Sequence, residues 1–300
     1  MSLQNRLRQG NNAAERLTKQ TEKQLITNYQ GALKELRNKL SKLAEKGVLN
    51  NADMQKYNRL SNLEKEIGEE ISKLTGKNAS NLRKGIGDVY EEQYYRTAFA
   101  IESEAQARLG FGQLDRDAIE KIIENPMDNI GFLERNRENS QRLRRQLREQ
   151  LSRGLIQGEG YQKIARRLKE RMDVGASEAV RIARTECHRA QTQGRLDSIG
   201  RAEKAGVQAV RIWVATLDDR TRDTHQDMDG ERANEDGMFM VAGSEIEGPG
   251  LHPDPAESIN CRCTVRLEIE GYEPEVRRSR EEGTIPHQSY NEYYNERIAS

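Results

Sequence analysis

The sequence predicts a mainly α-helical protein that closes in a small α+β C-terminal module, and three observations carry this. Pro126 is the one proline of the first 248 residues, whereas Pro249, Pro253, Pro255, Pro274 and Pro286 crowd the last 52. Proline breaks helices, so its scarcity permits long ones. Apolar residues in the proline-poor part recur at spacings of three and four, the helical period, while two stretches near the C-terminus alternate with period two. Charged residues make up 33% of the 300-residue chain and hydrophobic residues 34%. That balance disfavours one large core and suits long solvated helices beside a smaller globular part.

Ile26, Tyr29, Leu33, Leu36, Leu40 and Leu43 lie on one helical stripe, and Tyr57, Leu60, Leu63, Ile67, Ile71 and Leu74 form a second after an interruption from Gly47 to Asn51. Residues 12 to 75 therefore read as an elongated helical hairpin with charged outer faces, suited to a spacer or docking arm. A third helix is expected over 80 to 109, stopping near Gly110 and Gly112. Asp115 to Glu124 forms a short helix before Pro126. Leu143, Leu147, Leu151 and Leu155 then repeat every four residues, with Arg142, Arg144, Arg145, Arg148 and Arg153 over the rest of that helix surface. Tyr161 to Met172 follows, with Ile164 and Leu168 apolar and Lys163, Arg166, Arg167, Lys169 and Arg171 basic. Ala176 to about Ala205 is one more helix. Val210, Ile212 and Val214 alternate with Arg211 and Trp213, and Cys263, Val265, Leu267 and Ile269 with Thr264, Arg266 and Glu268. These are two strands around a glycine-rich, loop-rich segment. The expected organisation is a helical arm over 1–113, a connector over 114–139, a C-terminal domain over 140–270 and a tail of low autonomous order over 271–300.

Forty-nine basic and 49 acidic residues give a formal net charge of zero. The zero is a cancellation: residues 1–215 carry 40 basic and 29 acidic groups (+11), and residues 216–300 carry 9 and 20 (−11). Such an asymmetry speaks of partners, or of the two parts facing each other. Ten basic groups against three acidic ones fall within 141–172. This segment is either a phosphate-contacting surface, with Arg142, Arg144, Arg145, Arg148, Arg166 and Arg167 as the DNA-binding candidates, or a solvated face whose arginines pair with carboxylates elsewhere. No stretch approaches the apolar length of a membrane span, and the N-terminus does not lead into a signal-peptide core. Cys187, Cys261 and Cys263 are too few for a disulfide framework and fit a reducing cytoplasm.

Residues with chemistry in them gather between 181 and 263. Cys261 and Cys263 with His225, and His252 as a fourth candidate, are donor types suited to tetrahedral zinc. Structural zinc sites more often separate two cysteines by two to four residues. A C-x-C pair on an extended chain instead projects both sulfurs onto the face that also carries Val265, Leu267 and Ile269, so both cysteines also read as small buried apolar residues. A disulfide directly between them would be strained. Asp218, Asp219, Arg220 and Arg222 beside His225 offer either acid/base chemistry or a polar network, with Asp219 or Thr221 capping a short helix. Arg184 and Glu186 lie about 200° apart on their helix and act as separate anchors. Cys187 and His188, adjacent on that helix, point about 100° apart and do not form a nucleophile–base pair.

The order of these pieces adds a resemblance. The helix Arg181-Ile182-Ala183-Arg184-Thr185-Glu186, then Trp213-Val214-Ala215-Thr216-Leu217-Asp218-Asp219-Arg220-Thr221-Arg222-Asp223-Thr224-His225, then Asp229-Gly230 and a terminal Asn260-Cys261-Arg262-Cys263 together resemble the phage Mu F-type family of head morphogenesis proteins, also called minor head or minor capsid proteins. The resemblance covers roughly residues 140 to 268. It implies a non-enzymatic internal component of a tailed-phage head, made in the host cytoplasm and placed in the virion interior. Its implied partners are the portal protein, scaffold or major capsid protein, and packaged double-stranded DNA. The competing class is a metal-dependent enzyme, a nuclease or injected effector, built on His225, Asp218, Asp219 and Cys261/Cys263. A third is a general nucleic-acid-binding protein without a capsid role.

Overall fold

A computed structural model describes residues 2–55, 58–124, 131–216 and 218–269. The expected tail over 271–300 lies outside the described residues, as do Tyr57 and Pro126. Helices dominate: α1 (Leu3–Glu45), α2 (Asn51–Gln55), α3 (Arg59–Ala105), α4 (Arg116–Glu124), α5 (Phe132–Ile156) and α6 (Tyr161–Lys204). The C-terminal module then contains β1 (Ala209–Val214), α7 (Asp223–Gln226), β2 (Phe239–Val241), β3 (Ser244–Ile246), α8 (Pro255–Ser258) and β4 (Thr264–Ile269). The mainly α fold with a small α+β end is thus the observed one. No described helix is long and apolar enough to cross a membrane.

The chain divides into two compact units. A helical unit comprises Lys19–Gly85 and Asn129–Arg184, and a mixed unit comprises Met1–Thr18, Ile86–Asp128 and Thr185–Ser300. Helices α1, α3 and α6 each contribute residues to both. Two elements expected as separate helices are continuous. α3 runs through 76–80, and α6 runs through 173–175. Single glycines cost a helix only about 1 kcal/mol each and packing repays this. Gly175, for example, is buried, with the Tyr29 and Leu143 side chains close to where a Cβ would stand.

In the helical unit, Leu25, Tyr29, Leu33, Leu36 and Leu40 of α1 are buried, as are Leu63, Ile67, Ile71 and Leu74 of α3. Ile26, expected on the α1 seam, is 40% exposed, and its neighbour Leu25 takes the inward place. Leu143, Leu147, Leu151 and Leu155 of α5 and Ile164 and Leu168 of α6 are buried as their spacing required. Buried amides tie the helices together. Asn139 donates to the Tyr29 hydroxyl and to the Gly175 carbonyl, both at 2.9 Å, and Asn136 donates to the Thr75 carbonyl at 3.1 Å. Such groups hold register, because any slip leaves a buried amide unpaired.

In the mixed unit, Leu3 and Leu7 of α1, Tyr94, Tyr95, Ala98 and Ile101 of α3, Phe111, Leu196, Ile199 and Ala202 of α6, Val207 and Leu267 form one apolar cluster. Helices α3 and α6 approach closely here: a Cβ on Gly194 would lie 2.5 Å from the Tyr90 carbonyl oxygen. β1 and β4 pair antiparallel with Trp213 opposite Val265, and β2 and β3 form a hairpin. The hairpin turn, Ala242-Gly243, has positive φ at both residues, the conformation whose twist suits a two-residue connection.

Candidate functional site

The site is built where the chain leaves β1 and where it enters β4. Trp213, near the end of β1, is fully buried and forms a second, smaller core with Ala215, Phe239, Val241, Ile246, Cys261, Cys263 and Val265. The following turn is held by Asp218, whose carboxylate accepts from the Arg220 backbone at 3.1 Å and from the Thr221 hydroxyl at 3.2 Å. The Thr221 hydroxyl also bonds the Thr216 carbonyl. Neither Asp219 nor Thr221 caps α7; its N-cap is Arg222, with no side-chain bond. Arg222 instead donates to the Ile259 carbonyl at 2.7 Å.

Arg262, between the two cysteines, forms a fork with Asp218 at 2.5 and 2.6 Å. The guanidinium holds the Asp218 carboxyl well below the usual carboxylate range. Thr216 returns a bond to the Arg262 carbonyl at 3.0 Å. The Asp229 carboxylate accepts from the Ala215 backbone at 2.8 Å, and the Gly230 backbone donates to the Trp213 carbonyl at 2.9 Å. Asp219 and Arg220 are exposed, and so is Asn260, which takes a positive φ of 60°.

This clasp carries His225 inward. Its ring meets Trp213 edge to face at 5.5 Å. Nδ1 lies 3.7 Å from Cys261 Sγ and 3.5 Å from Cys263 Sγ. Nε2 lies 3.1 Å from the Glu257 carboxylate, which also accepts from the Thr224 hydroxyl at 2.9 Å. A carboxylate on Nε2 favours the proton there and leaves the Nδ1 lone pair facing the sulfurs. Cys261 donates to Cys263, which lowers the Cys263 thiol from its ordinary range, and the nearby His225 acts in the same direction. The structure brings His225, Cys261 and Cys263 together but not His252. The His252 Nδ1 accepts from the Asp254 backbone at 3.0 Å, and its Nε2 faces the Val241 carbonyl at 3.2 Å. Both ring nitrogens are engaged in shaping the loop that leads into α8.

The remaining sequence candidates are dispersed. Arg184, in the helical unit, is exposed and forks onto Glu22 at 2.7 and 2.9 Å. Thr185 and Glu186, in the mixed unit, are buried, with Arg189 3.3 Å from Glu186. Cys187 is buried, and burial pushes the His188 imidazole down to about 4. Among the arginines proposed for phosphates, Arg148 is 2.7 Å from Glu64 and Arg142 is 4.0 Å from Glu178. Arg167 donates to Glu159 at 2.7 Å and also to Gln150 and Gln157. Arg144, Arg145 and Arg166 are exposed.

Sequence reasoning passed over two groups. Arg195 is buried and donates to the Thr264 hydroxyl at 2.7 Å and the Val265 carbonyl at 2.5 Å from one nitrogen, and to Asn11 at 2.5 Å from another. Its signal was its place on the stripe of Thr192, Ile199 and Ala202, an arginine on an apolar face. Glu257 had a weaker signal, a carboxylate four residues before Cys261.

Fold and site together define a long-helical protein closed by a compact Trp/His/Cys module. Residues 145–266 match the family described as phage Mu protein F like protein. The chain is 34% identical over 269 residues to the minor head protein GP7 of Bacillus phage SPP1, covering 87% of this chain and 86% of that protein. The chain belongs to this family of phage minor head proteins. It is also 27% identical over 286 residues to the NAD(+)–arginine ADP-ribosyltransferase EFV of Enterococcus faecalis (strain ATCC 700802 / V583), covering 93% of this chain but 58% of that longer protein. No solved structure matches the chain.

Proposed function

We propose that this protein is an internal component of a tailed-phage head that acts in head assembly by docking its helices on the portal, scaffold or major capsid protein. It is made in the host cytoplasm and ends in the virion interior. The observation that carries the reading is the 34% identity to a minor head protein, which extends over most of both chains. The physical picture supports it: long helices with charged outer faces offer extended docking surfaces, and the clasp around Trp213 ties Asp218 to Arg262 and Arg222 to the Ile259 carbonyl. Docking calls on no cofactor, and a zinc ion at His225, Cys261 and Cys263 would serve the module's stability.

Packaged double-stranded DNA is the second partner. Arg148 and Arg167 are engaged by Glu64 and Glu159, and Arg142 stands 4.0 Å from Glu178, which leaves Arg144, Arg145 and Arg166 as the strongest phosphate contacts of the six candidates. Changing these three to glutamine should lower the slope of log affinity against log salt by about 3 for duplex DNA. An unchanged slope would remove DNA from the account.

The ADP-ribosyltransferase named among the relatives motivates one alternative. The match spans 58% of that protein, and we place its named activity outside the shared part. The purified chain incubated with labelled NAD and arginine-bearing acceptor protein should transfer no label. Transfer above background would make this protein an enzyme.

A further inference from the structure

We propose that His225, Cys261 and Cys263 bind one zinc ion as a structural clasp across the C-terminal module. The inference is independent of the head-assembly reading and rests on four features of the site.

The first is the geometry. Tetrahedral zinc with ordinary bond lengths places a thiolate sulfur and an imidazole nitrogen about 3.6 Å apart. The two sulfur–nitrogen distances here are 3.5 and 3.7 Å, and all three donor atoms lie within 4.8 Å of one another. The two sulfurs stand at nearly equal distances from one Nδ1 lone pair, as a cation shared by all three donors requires.

The second is the orientation of the imidazole. Glu257 lies 3.1 Å from Nε2, and a carboxylate on the distal nitrogen is the usual way in which a metal-binding histidine is fixed in tautomer and direction. Glu257 is held in turn by Thr224. The third is charge. Two thiolates and a neutral imidazole around a divalent cation sum to zero, which suits a site whose three donors are all buried. On binding, the two thiol protons leave to solvent and no electron changes hands. Thiolate and imidazole donors select zinc over magnesium or calcium, which take oxygen ligands.

The fourth is position. His225 sits after β1 and the cysteines sit before β4, so the metal joins the turn at 218–222 to the entry of the paired strand. The Asp218–Arg262 fork spans the same two segments from the outside. Among the described residues the three form the whole group of His, Cys, Asp and Glu side chains at ligand spacing around this point.

The test uses the full chain purified under reducing conditions without added metal. Elemental analysis after exhaustive dialysis should find about one zinc per chain. Cobalt(II) exchanged into the site should give thiolate-to-cobalt charge-transfer absorption in the near ultraviolet and the visible bands of tetrahedral cobalt. Cys263→Ser should weaken the charge-transfer band, and Glu257→Gln should weaken zinc affinity by about 10–100-fold. Because His225→Ala removes a buried ring packed on Trp213 and can unfold the module by itself, the cobalt spectrum of the unaltered chain decides. Folded protein that holds no zinc, gives no thiolate charge-transfer band and shows Cys261 and Cys263 as freely titrating thiols, or as a disulfide, would overturn the proposal.

Discussion

In the helical unit, buried leucines and isoleucines of α1, α3, α5 and α6 form seams that continue for many turns, and most of the charged pairs lie outside them. In the C-terminal module, Trp213 and seven other buried residues form the small inner core among the described residues, and polar groups stand in or against it: His225 within, the Asp218–Arg262 fork across its edge. The seams distribute stability over many equivalent contacts, so no single pair outside them is decisive. The module concentrates it in a few groups that each touch several others. A charge-rich chain with few apolar residues therefore uses helix length in one place and a dense polar clasp in the other.

The contrast can be broken most sharply at Trp213. Trp213→Ala should cost about 3–5 kcal/mol, the range for removing a fully buried large aromatic, measured by denaturant titration, and should detach the unfolding of the module from that of the helices. Gly194→Ala tests the close approach of α6 to α3. A methyl group forced against the Tyr90 carbonyl should cost about 1–3 kcal/mol, and a neutral result would show that the helices can separate without penalty.

Glu159, at the α5–α6 junction, tests a partly buried pair. Arg167 first, and Lys163 with it, hold its carboxyl below the ordinary value of 4.5. A depressed carboxylate contributes stability that is fully present above 4.5 and lost as pH falls through its lower folded value. Glu159→Gln should therefore be the less stable protein at pH 7 and should converge with the unaltered one as the pH falls from 4.5 through the lowered folded value, followed by thermal unfolding across pH. The smallest effect belongs to Arg148→Ala. Its pair with Glu64 is solvent-exposed on the arginine side, so the change should cost at most about 1 kcal/mol. A loss as large as that of Trp213→Ala would erase the distinction between seam and surface.

Helical and strand periods were legible because burial imposes them: Leu143 to Leu155 every four residues, and Val265 and Leu267 on one face of β4. Helix ends were less so. Nothing local at 76–80 or 173–175 stops a helix strongly enough to resist tertiary packing, and the weak breaks expected there vanish into α3 and α6. The choice of Leu25 over Ile26 is a matter of helix rotation set by neighbouring helices, which one stripe of sequence does not contain. The cysteines read equally as core residues or ligands, and the structure shows why: they are buried in the small core and face His225 as well. His252 shared a residue type with the site but not its place, since both ring nitrogens are committed to the loop around it. Arg195 was hidden because a buried arginine has no sequence signature apart from standing on an apolar stripe.

The claim that this is a head-assembly protein is tested most directly by quantitative mass spectrometry of purified, DNA-free proheads assembled with and without portal protein. The account predicts a fixed, low copy number of this chain per prohead that depends on a capsid or portal component, with little left free in the cytosol. Full-yield proheads that contain none of it, with the chain remaining wholly soluble in the lysate, would contradict that claim.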